Sequence, residues 1–321
     1  MNNLAEKMDV LCIGAALIDL PVGPVDSSIF ARETSFPVDG IKMSIGGDAI
    51  NEATIISRLG KRAGLATLTG MDAAGIYIMD HCLHNNINVE NIKTREEIDT
   101  GINIGLVTAD GERTFITNRQ GSHWKYCKDH FDMSCLDNTS VISFSFFNTP
   151  RMDGAFMETV FAEAKKKGIL ICADMIMPRL KETIEDIRGA LQYVDYFFPN
   201  QDEASFLSGK EDIDEIADTF LACGVKHVVL KTGKKGCLLK SAELREMVPG
   251  YMHSKVVDTI GAGDNFEAGF IVALLEGKSP VECAQFAHSV ASLSVEAPGA
   301  TNGVTSRAQA EERYRQYLAE L

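Results

Sequence analysis

Two glycines and a carboxylate stand together in the run Asp258-Thr259-Ile260-Gly261-Ala262-Gly263-Asp264, directly before an amphipathic pattern that predicts a helix from Phe266 to Glu276. The free N–H groups of a first helical turn attract phosphate, and glycine lets the phosphate approach the backbone closely. An acid in that turn could accept the proton of a hydroxyl that attacks the bound phosphoryl group. We therefore interpret Asp264 as a general base beside an anion hole at Gly261–Gly263. The alternative is an ordinary first-turn acid after a glycine turn.

A second glycine pair enters a predicted helix in Gly46-Gly47-Asp48-Ala49-Ile50-Asn51. Paired glycines would let a polyhydroxylated ligand approach the backbone, and Asp48 and Asn51 would then supply hydrogen bonds to its hydroxyls. The alternative is a tight turn in which Asn51 is a helix cap.

Two further polar segments come at the ends of predicted strands. Pro199-Asn200-Gln201-Asp202-Glu203 follows the strand Val194–Phe198, and Lys231-Thr232-Gly233-Lys234-Lys235-Gly236 begins at the last residue of the strand Val225–Lys231. Ligands bind at the carboxyl ends of parallel strands, so both segments are candidates for a ligand site. For the second segment, a tight turn into a hairpin is about as favoured as a nucleotide contact.

Apolar strand-like runs alternate with helical periodicities along the chain, a pattern typical of an α/β fold with a parallel sheet and crossover helices. The predicted strands are Val10–Gly14, Gly64–Thr69, Ser140–Phe146, Ile169–Ala173, Val194–Phe198 and Val225–Lys231. The predicted helices are Ala49–Leu59, Ala73–His84, Gly154–Lys167, Lys181–Leu191 and Ile213–Cys223.

Two stretches with β patterns, Ile18–Met43 and Thr100–Asn118, interrupt this alternation. The second is typical of a hairpin that turns at Asp110-Gly111 between Ile102–Thr108 and Arg113–Thr117. We expect the two stretches to pair into a small sheet that forms a lid over an active site. The sequence shows no repeat or long linker, so we predict one domain, 1–321, with a lid formed by about 18–43 and 100–118.

An isolated lid sheet would expose an edge and an apolar face. We expect that face to carry Ile102, Ile104 and Leu106. Self-association commonly covers such a face, so we predict a homodimer formed through the lid.

Composition and charge exclude several classes of protein. Of 321 residues, 45% are hydrophobic and 24% charged, and no run of eighteen apolar residues predicts a transmembrane helix. The net charge of −14 disfavours nucleic acid and anionic membranes as partners. The eight cysteines are scattered without a Cys-x-x-Cys pair, which favours buried reduced thiols. The polar start, Met1 to Lys7, lacks a signal-peptide core, so we predict a cytoplasmic protein.

In this order and spacing, the polar segments resemble the ribokinase-like family of carbohydrate kinases, also called the PfkB family, from Val10 to about Gly303. The run from Asp258 to Phe270 is close to the most specific signature of that family. Gly46-Gly-x-x-x-Asn51-x-Ala53, with Arg58-Leu59-Gly60, is similar to its other signature. The resemblance implies a mostly parallel sheet between helices, with a small β lid. It also implies transfer of the ATP γ-phosphoryl group, with Mg²⁺, to a sugar or nucleoside hydroxyl.

The resemblance also implies roles for individual residues. Asp264 would be the general base, and the anion hole would be formed by Gly261, Ala262 and Gly263. The substrate contacts would be Asp19, Gly46, Gly47 and Asn51, and to these we add Asp48 and Asn103 as predicted substrate contacts of this chain. The nucleotide contacts would be Asn200, Glu203, Lys231, Gly233, Gly236, His288 and Gly299, with Glu203 holding Mg²⁺ through water. The carbonyls of Asp258 and Ile260 match positions that hold a monovalent cation, such as K⁺, in many members.

The sequence departs from the family pattern mainly on the substrate side. Asp174-Met-Ile176-Met-Pro-Arg179 has isoleucine where many members have asparagine, and Phe146-Phe147-Asn148 lacks the acid that holds the sugar in ribokinase. Asp48 stands where lysine or a small residue is common, and Lys231 where ribokinases usually have threonine. Gly303 stands where a further cation ligand is expected. These changes leave the substrate open.

Several functions from different classes follow from these patterns. We favour an ATP-dependent kinase for a small sugar or sugar derivative, and a nucleoside kinase of the same fold is the alternative. A sugar-binding homologue without activity would not need a base beside a phosphate site. A dinucleotide-dependent oxidoreductase and a P-loop kinase are disfavoured, because the chain lacks both Gly-x-Gly-x-x-Gly after the first strand and Gly-x₄-Gly-Lys-Ser/Thr.

Overall fold

A computed structural model describes residues 7–26, 35–109 and 113–321 of the chain. Its centre is a nine-stranded sheet in the order β14-β13-β12-β11-β10-β9-β1-β5-β6. The strands from β6 to β12 are parallel, and β13 and β14 complete one edge as antiparallel strands. The predicted α/β class with a mostly parallel sheet is confirmed.

The strands are β1 (Met8–Ile13), β2 (Leu17–Val25), β3 (Gly40–Ile41), β4 (Ser44–Gly46), β5 (Ala63–Gly70), β6 (Ile92–Arg95), β7 (Ile102–Thr108), β8 (Arg113–Thr117), β9 (Thr139–Phe146), β10 (Leu170–Met175), β11 (Tyr196–Phe197), β12 (His227–Lys231), β13 (Cys237–Lys240) and β14 (Arg245–Val248). The helices are α1 (Asp48–Arg58), α2 (Ala73–His84), α3 (Ser122–Lys125), α4 (Ala155–Lys166), α5 (Ile184–Leu191), α6 (Gln201–Ser208), α7 (Ile213–Ala222), α8 (Ala262–Leu275), α9 (Pro280–Ser294) and α10 (Arg307–Leu318). None of these helices has the length and apolarity that a membrane span requires.

The central strands divide their side chains between two hydrophobic cores, one on each face of the sheet. On β1, Val10 and Cys12 belong to the first core, whereas Leu11 and Ile13 belong to the second. Helices α1, α8 and α9 contribute to the first core, and α4, α5 and α7 to the second. This three-layer arrangement brings the carboxyl ends of the parallel strands to one edge of the sheet.

Most predicted elements are confirmed to within a few residues, and the exceptions have local causes. Helix α5 begins at Ile184 rather than Lys181, because Lys181 has a positive φ of 67° and Thr183 forms a capping box with Asp186. Helix α8 begins at Ala262 rather than Phe266, so its first turn includes the glycine motif.

The two predicted β stretches do pair into a second sheet. Strand β2 pairs in parallel with β7, which pairs antiparallel with β8, while β3 and β4 lie against β2. The predicted turn at Asp110-Gly111 lies outside the described residues.

The prediction that Leu106 belongs to an exposed apolar face of this sheet is wrong, because Leu106 is only 7% exposed. The large exposed apolar side chains are instead Ile41, Phe115 and Ile116, with exposed fractions of 62%, 51% and 50%. Successive residues of a strand point to opposite faces, so the exposure of both Phe115 and Ile116 means that β8 is uncovered on both sides.

Candidate active site

The glycine motif forms the first turn of α8. Gly261 is its N-cap with a left-handed φ of 71°, and a Cβ at this position would lie 2.6 Å from the Ala300 Cβ. Asn265 fixes the turn because its Nδ2 donates to the carbonyls of Gly261 and Ala300, each at 2.7 Å. The amides of Gly261 and Gly263 therefore stand at the positive end of a fourteen-residue helix, as an anion hole requires, whereas the Ala262 amide donates to the Thr259 carbonyl at 3.3 Å.

Asp264 lies in the same turn and is tied to the second motif. The Nδ2 of Asn51, on α1, donates a 2.7 Å hydrogen bond to the Asp264 Oδ2. Burial raises the pKa of the Asp264 carboxyl, while Asn51 and the Lys231 ammonium oppose that shift. A buried carboxylate with a raised pKa is a suitable acceptor for a hydroxyl proton.

Asp19 and Asn103 form a polar pair on adjacent strands β2 and β7. The Asn103 Nδ2 donates to the Asp19 Oδ1 at 3.2 Å. Gly46 makes room for this carboxylate, because a Cβ at that position would collide with it. Burial raises the Asp19 pKa to about 6, and the nearby Asp264 adds to the shift. The motif at Gly46 and the second sheet therefore meet beside the candidate base.

Two amide oxygens beside these carboxylates have no partner. The Oδ1 atoms of Asn51 and Asn103 are buried, and neither accepts a hydrogen bond within the described part of the chain. A buried acceptor without a donor is costly, so both oxygens are suited to the hydroxyls of a ligand.

Asp48 sits deeper than the sequence suggested. It is 7% exposed, and its Oδ1 accepts from the amides of Ala15 and Ala49 at 3.3 and 2.8 Å. Gly47, the N-cap of α1, places it in the first helical turn. Burial and the nearby Asp264 raise its pKa to about 6. Asp48 thus connects the turn after β1 to the first turn of α1.

Lys231, at the end of β12, pairs with Asp174 on β10. Its ammonium also approaches the anion hole, since a Cβ on Gly263 would lie 3.1 Å from the Nζ. Lys231 was predicted as a nucleotide contact, and its side chain is only 14% exposed. Lys231 therefore stands where a transferred phosphoryl group would need a positive charge.

Asn200 and Glu203 form a capping box at the start of α6. The Asn200 Oδ1 accepts from the Glu203 amide at 2.9 Å, and the Glu203 Oε2 accepts from the Asn200 amide at 3.3 Å. Burial and the adjacent Asp174 raise the Glu203 pKa to about 7. The pair thus caps α6 in this conformation. A cation beside the Glu203 carboxylate would stabilise its charged form.

Two cavities meet at the glycine motif. The first, of about 520 Å³, lies under the second sheet and includes Asp19, Asp258, Ile260 and Gly299 in its lining. The second, of about 370 Å³, has in its lining the predicted residues Asn200, Lys231, Gly233, Gly236, Ala262, Gly263 and His288. Gly299 was predicted as a nucleotide contact but lies in the first cavity.

His288 has the character expected of a wall for an aromatic base. Its ring is 8% exposed and packs edge-on against Phe266, with centroids 4.9 Å apart. Burial lowers its pKa to about 4, so the ring is neutral at pH 7. Its Nε2 has no partner among the residues that the structure describes.

Asp258 ties two loops together next to these cavities. Its Oδ1 accepts from the Ile260 amide and its Oδ2 from the Gly299 amide, both at 2.8 Å. These contacts hold the 258–260 segment against the 298–300 segment, which keeps the Asp258 and Ile260 backbone in a fixed position.

Sequence analysis missed two parts of this region. Asp174 was treated only as part of a departure from the family pattern, although it follows the predicted strand Ile169–Ala173 at the edge where ligands bind. The second part is Trp124, whose ring lies 4.6 Å from the Arg179 guanidinium and 5.6 Å from that of Arg119. No sequence spacing connects these three residues, so only the fold brings them together.

Comparisons with known proteins agree with this fold. The sequence pattern of the pfkB family carbohydrate kinases matches residues 7–307. A 2-dehydro-3-deoxygluconokinase from Bacillus subtilis is 28% identical over 285 residues, which are 84% of this chain and 86% of that protein.

Two solved structures share the fold. A ribokinase from Arabidopsis thaliana complexed with ribose and ATP is 24% identical, with a TM-score of 0.82 over 96% of this chain and 99% of that one. A structure described as a ribokinase II from E. coli, in complex with ATP and Mg²⁺, is 21% identical, with a TM-score of 0.79 over 96% and 99% of the two chains.

Proposed function

Because the chain belongs to the pfkB family of carbohydrate kinases, we propose that Asp264 is the general base of an ATP-dependent sugar kinase. The observation that carries this proposal is the position of the glycine motif between two cavities. Ile260 lines the cavity that contains Asp19, and Gly263 lines the cavity that contains His288. A sugar in the first cavity and ATP in the second would meet at the first turn of α8, the turn that carries Asp264.

The proposed reaction is a direct transfer. Asp264 accepts the proton of a sugar hydroxyl, whose oxygen forms a bond to the γ-phosphorus as the bond to the ADP oxygen breaks. The Gly261–Gly263 amides and Lys231 stabilise the charge on the transferred group, because they are already oriented before it arrives. Asn51 holds the base through its 2.7 Å hydrogen bond.

Magnesium is expected on the nucleotide side. Burial and the neighbouring acid Asp174 raise the pKa of the Glu203 carboxyl to about 7. A bound cation would favour the charged form of this carboxyl. Mg²⁺ prefers oxygen ligands and retains water, so Glu203 would hold it through water. The bound metal would neutralise charge on the phosphate oxygens.

We propose further that the sugar carries a negative charge. The Arg119 and Arg179 guanidinium groups lie over Trp124, whose Nε1 donates to the Thr117 Oγ1 at 3.4 Å. Thr117 lies opposite Asn103 in the β7–β8 ladder, so this cationic cluster borders the Asp19–Asn103 pair. The Bacillus subtilis relative is named for an acidic sugar. Guanidinium groups bind carboxylates well.

An ADP-release screen tests both parts of the proposal. Pentoses, neutral hexoses, keto-acid sugars and nucleosides would be compared at equal concentration with ATP and Mg²⁺. We expect the highest kcat/KM for a keto-acid sugar. Preference for a neutral sugar would contradict the charged substrate, and turnover of nucleosides alone would favour the nucleoside kinase.

The remaining parts of the proposal concern ions, assembly and location. The Asp258 and Ile260 carbonyls would hold K⁺, which kinase assays in KCl and in choline chloride would test.

The second sheet would act as a lid of a single domain and as the contact of a homodimer. A cytoplasmic location would keep the eight buried cysteines as free thiols and would supply ATP.

A further inference from the structure

Two glutamates meet at one serine in the core beneath the candidate active site. Ser143, in the middle of β9, contacts the Glu52 Oε2 of α1 and the Glu267 Oε1 of α8 through its hydroxyl oxygen. The second contact is 3.1 Å long. Glu52 is 2% exposed, and Glu267 and Ser143 are 0% and 1% exposed. The contacts form a buried bridge, Glu52–Ser143–Glu267, between two helices that carry site residues.

The proton count of this bridge requires a protonated acid. A serine hydroxyl has one proton and can donate to one of the two carboxyl groups. The second glutamate can then form a hydrogen bond with the serine oxygen only if it carries a proton and donates it to that oxygen. The Glu267 Oε2 has no partner in the described part of the chain, as expected if Oε1 is the protonated donor.

The surroundings of the bridge also favour a retained proton. Burial raises the pKa of both glutamates. Glu267 adds to the shift of Glu52, and Asp174 adds to that of Glu267. The titratable groups that face the pair from neighbouring elements are Cys12 on β1, Asp48 on α1, Cys172 and Asp174 on β10, Lys231 on β12 and Asp264 on α8. Lys231 is already paired with Asp174. A second negative charge in the bridge would therefore be poorly compensated.

On each helix, the glutamate of the bridge lies close to a residue of the Asn51–Asp264 hydrogen bond. Glu52 follows Asn51 directly, and Glu267 lies three residues after Asp264, almost one helical turn. Asn51 and Asp264 form the 2.7 Å hydrogen bond that holds the base. The separation of α1 and α8 at Ser143 therefore sets the distance between the base and the asparagine.

We propose that Glu52, Ser143 and Glu267 are positioning residues that share one proton and hold Asp264 against Asn51. The positioning role depends on the proposed kinase function, whereas the shared proton does not. When the bridge loses its proton at high pH, two buried carboxylates repel each other and α1 and α8 separate.

Isosteric variants separate the proton from the packing. Glu267→Gln supplies an N–H donor in place of the acid proton, so we expect it to retain kcat at pH 7 and to extend activity to higher pH than the wild type. Glu267→Ala removes the bridge and should lower kcat by about 10- to 100-fold, with little change in the KM of sugar or ATP. Glu243→Gln, at an exposed residue, is the control with the same change of residue type.

The outcomes are distinct. A Glu267→Gln enzyme that loses as much kcat as Glu267→Ala, or that keeps the wild-type alkaline limb, would overturn the proposal. If the wild type phosphorylates none of the tested hydroxyl compounds, the kinase function is wrong and the positioning role is lost with it.

Thermal unfolding tests the shared proton without any substrate. An unfolded glutamate loses its proton near its ordinary pKa of 4.5, whereas the folded bridge retains it, so the wild type loses stability as pH rises above that value. Glu267→Gln lacks this loss. The difference in Tm between Glu267→Gln and the wild type should therefore grow from pH 5 to pH 8, while Glu243→Gln follows the wild type. A constant difference would show that no proton is shared.

Discussion

The Nδ2 of Asn51 donates a 2.7 Å hydrogen bond to the Oδ2 of Asp264, although 213 positions separate them along the chain. The contact joins the first turn of α8 to α1, the helix that begins at the other glycine motif. Asn51 was expected to contact the sugar through hydrogen bonds. In the structure the Nδ2 of its amide orients the base, and the Oδ1 has no donor among the described residues.

The first prediction concerns the base itself. Asp264→Asn should lower kcat by about 10²–10⁴-fold, because the amide cannot accept the hydroxyl proton. Binding of ATP, measured by calorimetry, should remain near the wild-type value. Asp202→Asn, at an exposed acid on α6, is the matched control. Wild-type turnover by Asp264→Asn would remove Asp264 from the mechanism.

The second prediction separates Asn51 from the Asp19–Asn103 pair. Asp19→Ala and Asn103→Ala should raise the sugar KM and leave the ATP KM unchanged, because Asp19 lines the first cavity and Asn103 donates a hydrogen bond to Asp19. Asn51→Ala should also lower kcat, by roughly tenfold, because the base loses its 2.7 Å hydrogen bond. Steady-state kinetics with each substrate varied in turn provide the test, and an effect confined to the ATP KM would contradict the assignment.

The third prediction is an acidic limit to activity. Burial raises the pKa of Asp19 to about 6, and that of Asp264 is also raised. A carboxyl with a raised pKa stays protonated to a higher pH, so kcat/KM for the sugar should fall as the pH is lowered through about 6. In Asp19→Asn, the part of this fall in kcat/KM that comes from protonation of Asp19 should disappear. A wild-type profile flat down to pH 4.5 would contradict the assignment of both groups.

The fourth prediction concerns the buried pair of Lys231 and Asp174. Lys231→Met should lower kcat and destabilise the fold by about 3–5 kcal/mol, because Asp174 is then left buried without its cation. The double variant Lys231→Met/Asp174→Asn should recover most of the stability but not the kcat. Urea unfolding and kinetics of the three proteins provide the measurement. Recovery of kcat in the double variant would mean that Lys231 acts only on Asp174.

The fifth prediction concerns the second sheet. We expect sedimentation to show a dimer at micromolar concentration, and Ile116→Lys to convert it to a monomer, because Ile116 is 50% exposed on β8. Ile76→Lys, at an exposed residue of α2, is the control.

Hydrogen exchange tests the lid role of the same sheet. The amides of β7 and β8 should gain protection when sugar is added, because closure over the first cavity would exclude water from them. A monomeric wild type without such protection would contradict both roles of the sheet.

Local sequence was sufficient for the main elements of the fold. The alternation of strands and helices, the helix start at the glycine motif and the β character of the two interrupting stretches depend on nearest neighbours, turn residues and hydrophobic period. The sequence did not predict that Lys181 adopts a positive φ, since that angle depends on loop geometry. The capping box of Asn200 and Glu203 was predictable from their spacing, but the pair was interpreted only as ligand contacts.

By itself the sequence determined the parallel sheet, through its alternation of strands and helices. It also identified the candidate base, through the order and spacing of the polar segments taken together. Tertiary structure alone decided which partners surround that base. Lys231 meets Asp174, Asn51 meets Asp264, and Ser143 joins Glu52 to Glu267 only because distant strands and helices converge at one edge of the sheet. The pKa values of these acids follow from that convergence, since burial and neighbouring charge arise only when the chain is folded.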